Sequence, residues 1–227
     1  MKNIIIHTVN DEVVSLKLVD KIISDKEFKN YNFDIIVSNT NFLRKLKILL
    51  VFIFFGSIKR LFEESQKKIS LKSILSKYKN CRLINKIENT YDFGLNVYGI
   101  SKIKLQKYKI YNFHLGSLYN QRGSFIFFYK FINNWQNIDL TFHEVNDKYD
   151  VGKIFNIRKI VLNKNVNATD IFFLYLDNLD FLKESIKKIN DRNLTEFKEY
   201  EKINLVPSFS MLVKLIINYY YKKFGSH

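Results

Sequence analysis

Short runs rich in β-branched and aromatic residues alternate along this chain with longer runs whose apolar residues fall three or four apart. That alternation limits the available folds more than any other feature, because successive strands and helices bury their apolar faces most readily as a wound sheet. Residues 4–7 read as a buried first strand, and Asp11 can cap a helix carrying Val13, Val14, Leu16, Leu18 and Ile22. Residues 33–37 read as a second strand, followed by one helical region over 41–64 and a lysine-rich helix over 71–79. Strands follow at 82–85, 93–97 and 109–114, then an apolar helix over 123–133 and strands over 139–145 and 151–162. Asn167 and Asp170 supply a cap and an acidic first-turn residue for a helix over 171–189. The tail from Asp191 holds the one proline, Pro207, and a helix-like aromatic stretch over 211–224. The pattern predicts an α/β domain over residues 1–190, Rossmann-like, with a mostly parallel sheet covered by helices on both faces, and a small C-terminal extension over 191–227.

At 227 residues the chain suffices for one sizeable core and is short for two. With 37 Lys+Arg against 22 Asp+Glu its formal charge is +15, which suits nucleic acid, a membrane surface or a polyanionic small molecule. The abundance of Lys, Ile, Asn, Phe and Tyr, with 7 Gly and 1 Pro, is also the bias an AT-rich genome imposes whatever the function. The single cysteine, Cys81, excludes an internal disulfide and any thiolate metal cluster, so the cytoplasm is the default compartment. The N-terminus has too short an apolar run for a signal peptide. The longest apolar run, residues 48–55, falls short of the roughly 18 needed to span a bilayer, so no transmembrane segment is expected. It reads as a buried helix or, flanked by Lys45, Lys47, Lys59 and Arg60, as a segment touching a membrane surface.

Two stretches carry chemistry. Residues 111–123 read Tyr-Asn-Phe-His-Leu-Gly-Ser-Leu-Tyr-Asn-Gln-Arg-Gly, and residues 140–152 read Leu-Thr-Phe-His-Glu-Val-Asn-Asp-Lys-Tyr-Asp-Val-Gly. Strand side chains repeat every second residue, so Asn112 and His114 share a face. Asp150 lies in an acidic loop after another strand-like run. Taken singly, each has a structural reading: an Asn that satisfies backbone, a hydrogen-bonded core His, an Asp that stabilises a turn. The first strand–helix connection lacks glycine, which disfavours a bound NAD. His7 and Asn10 sit where that strand meets its loop, where wound sheets bind ligands, and are candidates for an acceptor pocket. His143, two residues past Thr141 in an apolar strand, reads as packing, and His143-Glu144 lacks the spacing of a zinc site, so no metal is expected. Gly99 permits either close approach of a ligand or a tight turn.

Asn112-x-His114, Arg122-Gly123, Thr141 and Asp150-x-Gly152, in this order and spacing, resemble the catalytic domain of the N10-formyltetrahydrofolate-dependent formyltransferases, most strongly over residues 91–162. The resemblance implies a catalytic group of Asn112, His114 and Asp150. It also implies folate contacts at Tyr98, Gly99 and Ile100 and at Val145, Asn146 and Asp147. Two departures stand out: where the family continues Leu-Leu-Pro after its His, this chain reads Leu115 to Asn120 without proline, and the glycine usual before Thr141 is missing. Losing the proline makes that loop less rigid.

Within the family, enzymes acting on initiator methionyl-tRNA carry a further barrel domain, for which too few residues follow Leu162. Those acting on glycinamide ribonucleotide use a glycine-rich first loop, which is absent. The resemblance is therefore greatest to the sugar N-formyltransferases, and implies transfer to the amine of a nucleotide-linked deoxyamino sugar, with dTDP-4-amino-4,6-dideoxyglucose as a guess, for surface polysaccharide such as O-antigen. Arg122 and tail lysines would meet the diphosphate charge, and a homodimer is compatible with this reading, whereas nucleic acid is not expected as a partner. Two readings compete: a formyltransferase with another acceptor, and a non-catalytic basic α/β protein that binds RNA or an anionic membrane surface.

Overall fold

The structure, a computed structural model, describes residues 2–9, 13–39, 41–67, 69–87, 90–97, 107–146, 150, 152–189 and 204–224. Among these residues seven strands form one sheet: β1 (Lys2–Val9), β2 (Tyr31–Ser38), β3 (Cys81–Leu83), β4 (Phe93–Val97), β5 (Ile110–Leu115), β6 (Asn137–Glu144) and β7 (Ile154–Val161). Their order is β3-β2-β1-β4-β5-β6-β7. The first five run parallel, β6 is antiparallel to β5, and β7 is antiparallel to β6. Central β4 is buried at all five residues, as expected of a parallel strand covered on both faces. Edge strand β7 instead alternates over most of its length between half-buried and exposed residues. The expected α/β class and mostly parallel wound sheet are thus the observed ones.

The helices are α1 (Val13–Ile23), α2 (Phe42–Phe55), α3 (Ile58–Gln66), α4 (Leu71–Lys77), α5 (Ile126–Ile132), α6 (Ala168–Asp177), α7 (Leu179–Lys188) and α8 (Phe209–Phe224). The single helix expected over 41–64 is in fact two. Gly56 ends α2 where a Cβ would lie 2.6 Å from Thr169 Oγ1, and Ser57 opens α3 by accepting a hydrogen bond from Arg60 N at 3.2 Å. The helix expected over 171–189 is also two, divided at Asn178, whose Nδ2 donates to Leu174 O at 2.9 Å. The cap at Asn167 and Asp170 is a reciprocal capping box. α5 is shorter than expected because Gly123 bridges to Asn204 and Phe125 takes a left-handed conformation (φ 61°). The cap expected from Asp11 lies outside the described residues.

Aromatic packing joins one helical layer: the Phe52 ring lies 5.6 Å from Phe127 and 5.1 Å from Phe172, and Phe55 lies 5.8 Å from Phe128. Helix α8 rests on α2 through Tyr219, 4.9 Å from Phe55, and buries Leu212 and Ile216. Among the described residues no helix is long and apolar enough to cross a membrane.

Candidate active site

Strand register sets a row of polar residues across the middle of the sheet. His7 of β1 pairs with Asn96 of β4, Asn96 with Asn112 of β5, and Asn112 with His143 of β6. Residues in register share a face, and here Asn96, Asn112 and His143 hydrogen-bond. Asn96 Nδ2 donates to Asn112 Oδ1 at 2.9 Å. Asn112 Nδ2 donates to His143 Nε2 at 3.1 Å and to Asp150 Oδ1 at 3.4 Å. The Nδ1 of His143 donates to the Glu144 carbonyl at 2.9 Å, which leaves Nε2 of the neutral ring as an acceptor. Complete burial lowers the His143 pKa from 6.5 to about 4, against the pull of Asp150, so the ring is neutral near pH 7. This chain of bonds fixes the orientation of the Asn112 amide.

Asp150 occupies the left-handed region (φ 46°), which Asp tolerates better than most residues. Its Oδ2 accepts a hydrogen bond from Gly123 N at 2.7 Å. Its Oδ1 lies 3.6 Å from His114 Nδ1 and 4.0 Å from His143 Nε2. Buried His114 donates from Nε2 to the Gln121 carbonyl at 3.3 Å. The loop without the proline is braced by other means. The Gln121 side chain accepts from Ser117 N at 3.1 Å and from Asp139 N at 3.2 Å, and donates to Asn137 O at 2.9 Å. Thr141 Oγ1 donates to Gly116 O at 2.8 Å. Gly123 (φ +99°) lies so close to the tail that a Cβ would stand 2.2 Å from Asn204 O, and Asn204 N donates to Arg122 O at 2.8 Å.

Two histidines, buried His143 and half-buried His7, give the fold a pH dependence. Burial also lowers the His7 pKa to about 4, and its Nε2 lies 3.4 Å from the Tyr108 hydroxyl. Both folded values lie below the unfolded 6.5, so below that pH the unfolded chain binds more protons. Their stabilisation is complete above 6.5 and is lost as the pH falls toward 4, by up to about 3 kcal/mol each. Urea midpoints measured above 6.5 and near 4 should therefore diverge in the wild type, and by about half as much in His143→Gln.

The structure brings Asn112, His114 and Asp150 together. Arg122 is 2 % exposed, and its positive charge acts on His143, so it lies within the loop rather than on an open surface. Val145 N donates to Ile110 O at 2.7 Å at the end of the β5–β6 pairing, and half-buried Asn146 follows it. His7 lies two strands from Asn112 along the polar row. Tyr98, Gly99, Ile100, Asp147 and Asn10 lie outside the described residues. Sequence reasoning missed Asn96, Gln121 and Asn204, and read His143 as packing although it holds the Asn112 amide. Asn96 did carry a signal, being a polar residue on an otherwise apolar strand; His143 carried less, since β6 also holds Asn137, Asp139, Thr141 and Glu144. Asn204 had none, since its partner is remote in the chain.

No family model and no curated protein matches the chain. Solved structures do. WlaRD, a sugar 3N-formyl transferase solved in the presence of dTDP and 5-N-formyl-THF, aligns with a TM-score of 0.58 at 18% identity, over 91% of this chain and 69% of its own. The N-formyltransferase from Helicobacter canadensis, in complex with folinic acid and dTDP-3-aminofucose, gives 0.59 at 18% identity, over 99% of this chain and 82% of its own. HypX from Aquifex aeolicus in complex with tetrahydrofolic acid gives 0.58 at 12% identity; the alignment covers 96% of this chain but only 34% of HypX. At such identities the likeness is one of backbone architecture: this chain has the fold found in the sugar N-formyltransferases.

Proposed function

We propose that this chain is a formyltransferase that moves the formyl group of N10-formyltetrahydrofolate onto the amine of a nucleotide-linked deoxyamino sugar. The observation that carries the reading is the meeting of the Asn112 amide, the His114 imidazole and the Asp150 carboxylate, with Asp150 Oδ1 within 3.6 Å of both other groups. That donor set fits acyl transfer: an N–H for a developing negative charge, an imidazole and a carboxylate for the departing proton. When bound, N10-formyltetrahydrofolate supplies the formyl carbon. Asn112 makes its longer bond, 3.4 Å, to Asp150, and exchanges that bond for one to the formyl oxygen as charge builds there. Its 3.1 Å bond to His143 keeps the amide aimed meanwhile. Asp150, with Oδ2 held by Gly123 N, presents Oδ1 to His114 and to the proton leaving the amine. His114, with Nε2 donating to Gln121 O at 3.3 Å, takes that proton at Nδ1 and passes it to the folate nitrogen as its bond to the formyl carbon breaks.

Val145 and Asn146, with Tyr98, Gly99, Ile100 and Asp147, are the proposed folate contacts, and His7 and Asn10 the proposed acceptor side. Residues 1–190 carry the transfer in this reading, and 191–227 form the extension. The formal charge of +15 suits an acceptor that bears a diphosphate. The similar folds include a protein complexed with dTDP-3-aminofucose and a 4-N formyltransferase from Francisella tularensis, the latter at a TM-score of 0.51 and 19% identity. Amines at either position of a dTDP-linked sugar are therefore the first acceptors to try, dTDP-4-amino-4,6-dideoxyglucose among them, with surface polysaccharide as the destination and the cytoplasm as the setting. The test is incubation with N10-formyltetrahydrofolate and a panel of nucleotide-linked amino sugars, read by mass spectrometry. One formyl group added to a member of the panel supports the reading; no addition to any of them, by a chain that binds the folate, contradicts it.

Asn96 is a positioning residue in this scheme, because its Nδ2 holds the Asn112 carbonyl. Asn96→Ala should lower kcat about tenfold with KM nearly unchanged. A purely structural role would instead move the melting temperature and spare kcat.

A further inference from the structure

Helix α2 is apolar on its outer face as well as on its inner one. Ile48, Val51, Phe52 and Phe55 face the core, while Phe42, Leu43, Leu49, Ile53 and Phe54 stand in solvent, 44–75% exposed. Apolar residues gathered on a surface mark a site of interaction. Helix α8 enlarges the patch: its Leu212 and Ile216 are buried, whereas Val213, Ile217, Tyr221 and Phe224 are exposed. The two outer faces adjoin, since the Tyr220 ring lies 6.1 Å from Phe54 and its hydroxyl donates to the Phe54 carbonyl.

Charge selects the occupant. Helices α2 and α8 carry Arg44, Lys45, Lys47, Lys214, Lys222 and Lys223 and not one acidic residue. By the helical period, Lys45 and Lys47 fall on opposite margins of the stripe formed by Phe42, Leu49 and Ile53. Their stems can lie along the apolar surface while the ammonium groups reach outward. Apolar side chains between cationic margins match the boundary of a bilayer, where acyl chains lie beneath anionic headgroups. A second copy placed face to face would set cations against cations.

We propose that the joined outer faces of α2 and α8 dock on an anionic lipid surface. The docking does not depend on the activity proposed above. It is tested by co-sedimentation of the full chain with vesicles of phosphatidylcholine alone or mixed with phosphatidylglycerol. The chain should bind the mixed vesicles, and about tenfold less tightly when the ionic strength is raised. Ile53→Glu and Ile217→Glu replace exposed side chains, so both variants should keep the wild-type circular dichroism spectrum while binding about tenfold more weakly. A combined Lys45→Gln, Lys47→Gln and Lys214→Gln variant should lose most of the salt dependence. Failure to bind mixed vesicles at low salt, or undiminished binding by the folded Glu variants, overturns the proposal. So does a dimer in ultracentrifugation that Ile53→Glu dissociates in a chain indifferent to vesicles, which would assign the face to a second copy.

Discussion

Asp150→Asn should lower turnover about a thousandfold and leave the fold intact. The substitution keeps the shape of the side chain and an oxygen for the Gly123 N–H, which now donates to Oδ2 at 2.7 Å. It removes the negative charge facing His114 at 3.6 Å, and it sets an N–H where Asn112 Nδ2 now finds an acceptor at 3.4 Å. The loss should fall on kcat, because the group acts as charge moves rather than when the substrates bind. Steady-state kinetics with folate and acceptor varied separately, beside a thermal melt, checks this. A kcat within a few-fold of wild type would remove Asp150 from the chemistry.

Gly152→Ala should cost at least about 5 kcal/mol, comparable with the whole stability of many domains of this size. Gly152 lies at φ +147°, and a Cβ there would stand 1.8 Å from the Glu144 carbonyl oxygen and 2.8 Å from its carbon. Glu144 has little room to yield, since its N–H donates to Lys153 O at 2.8 Å and the next N–H, of Val145, to Ile110 O at 2.7 Å. Relief of the clash would unpair the end of β6 from its neighbours and displace nearby Asp150. The variant should be largely insoluble, or melt far below the wild type and lack activity. A melt within a few degrees of the wild type would mean that this turn yields easily.

Much of the fold was legible because hydrophobic period is local information. The seven strands were foreseen in order, as were the helical stretches between them, and Asn112 and His114 were placed on one face by the period of two. The breaks at Gly56 and Asn178 were not foreseen, since the first depends on contact with Thr169 from a remote helix. Strand direction was also hidden: nothing local marks β6 as antiparallel to β5, and this pairing sets His143 opposite Asn112. Hence His143 looked like packing. The missing proline suggested a loose loop, yet Gln121 braces it by bonds to Ser117 and to β6. The bridge from Asn204 to Gly123 likewise needs the tail folded back, which no local pattern announces.

The most direct test of the account follows a carbon-13 label in the formyl group of N10-formyltetrahydrofolate by NMR, with wild type and Asn112→Ala in parallel and a dTDP-linked amino sugar as acceptor. The account predicts a labelled formamide signal on the sugar that grows with wild-type enzyme and is nearly absent with the variant. Label that never leaves the folate in the presence of folded wild-type protein and a full set of amino-sugar acceptors would contradict it, as would transfer at the same rate by both proteins.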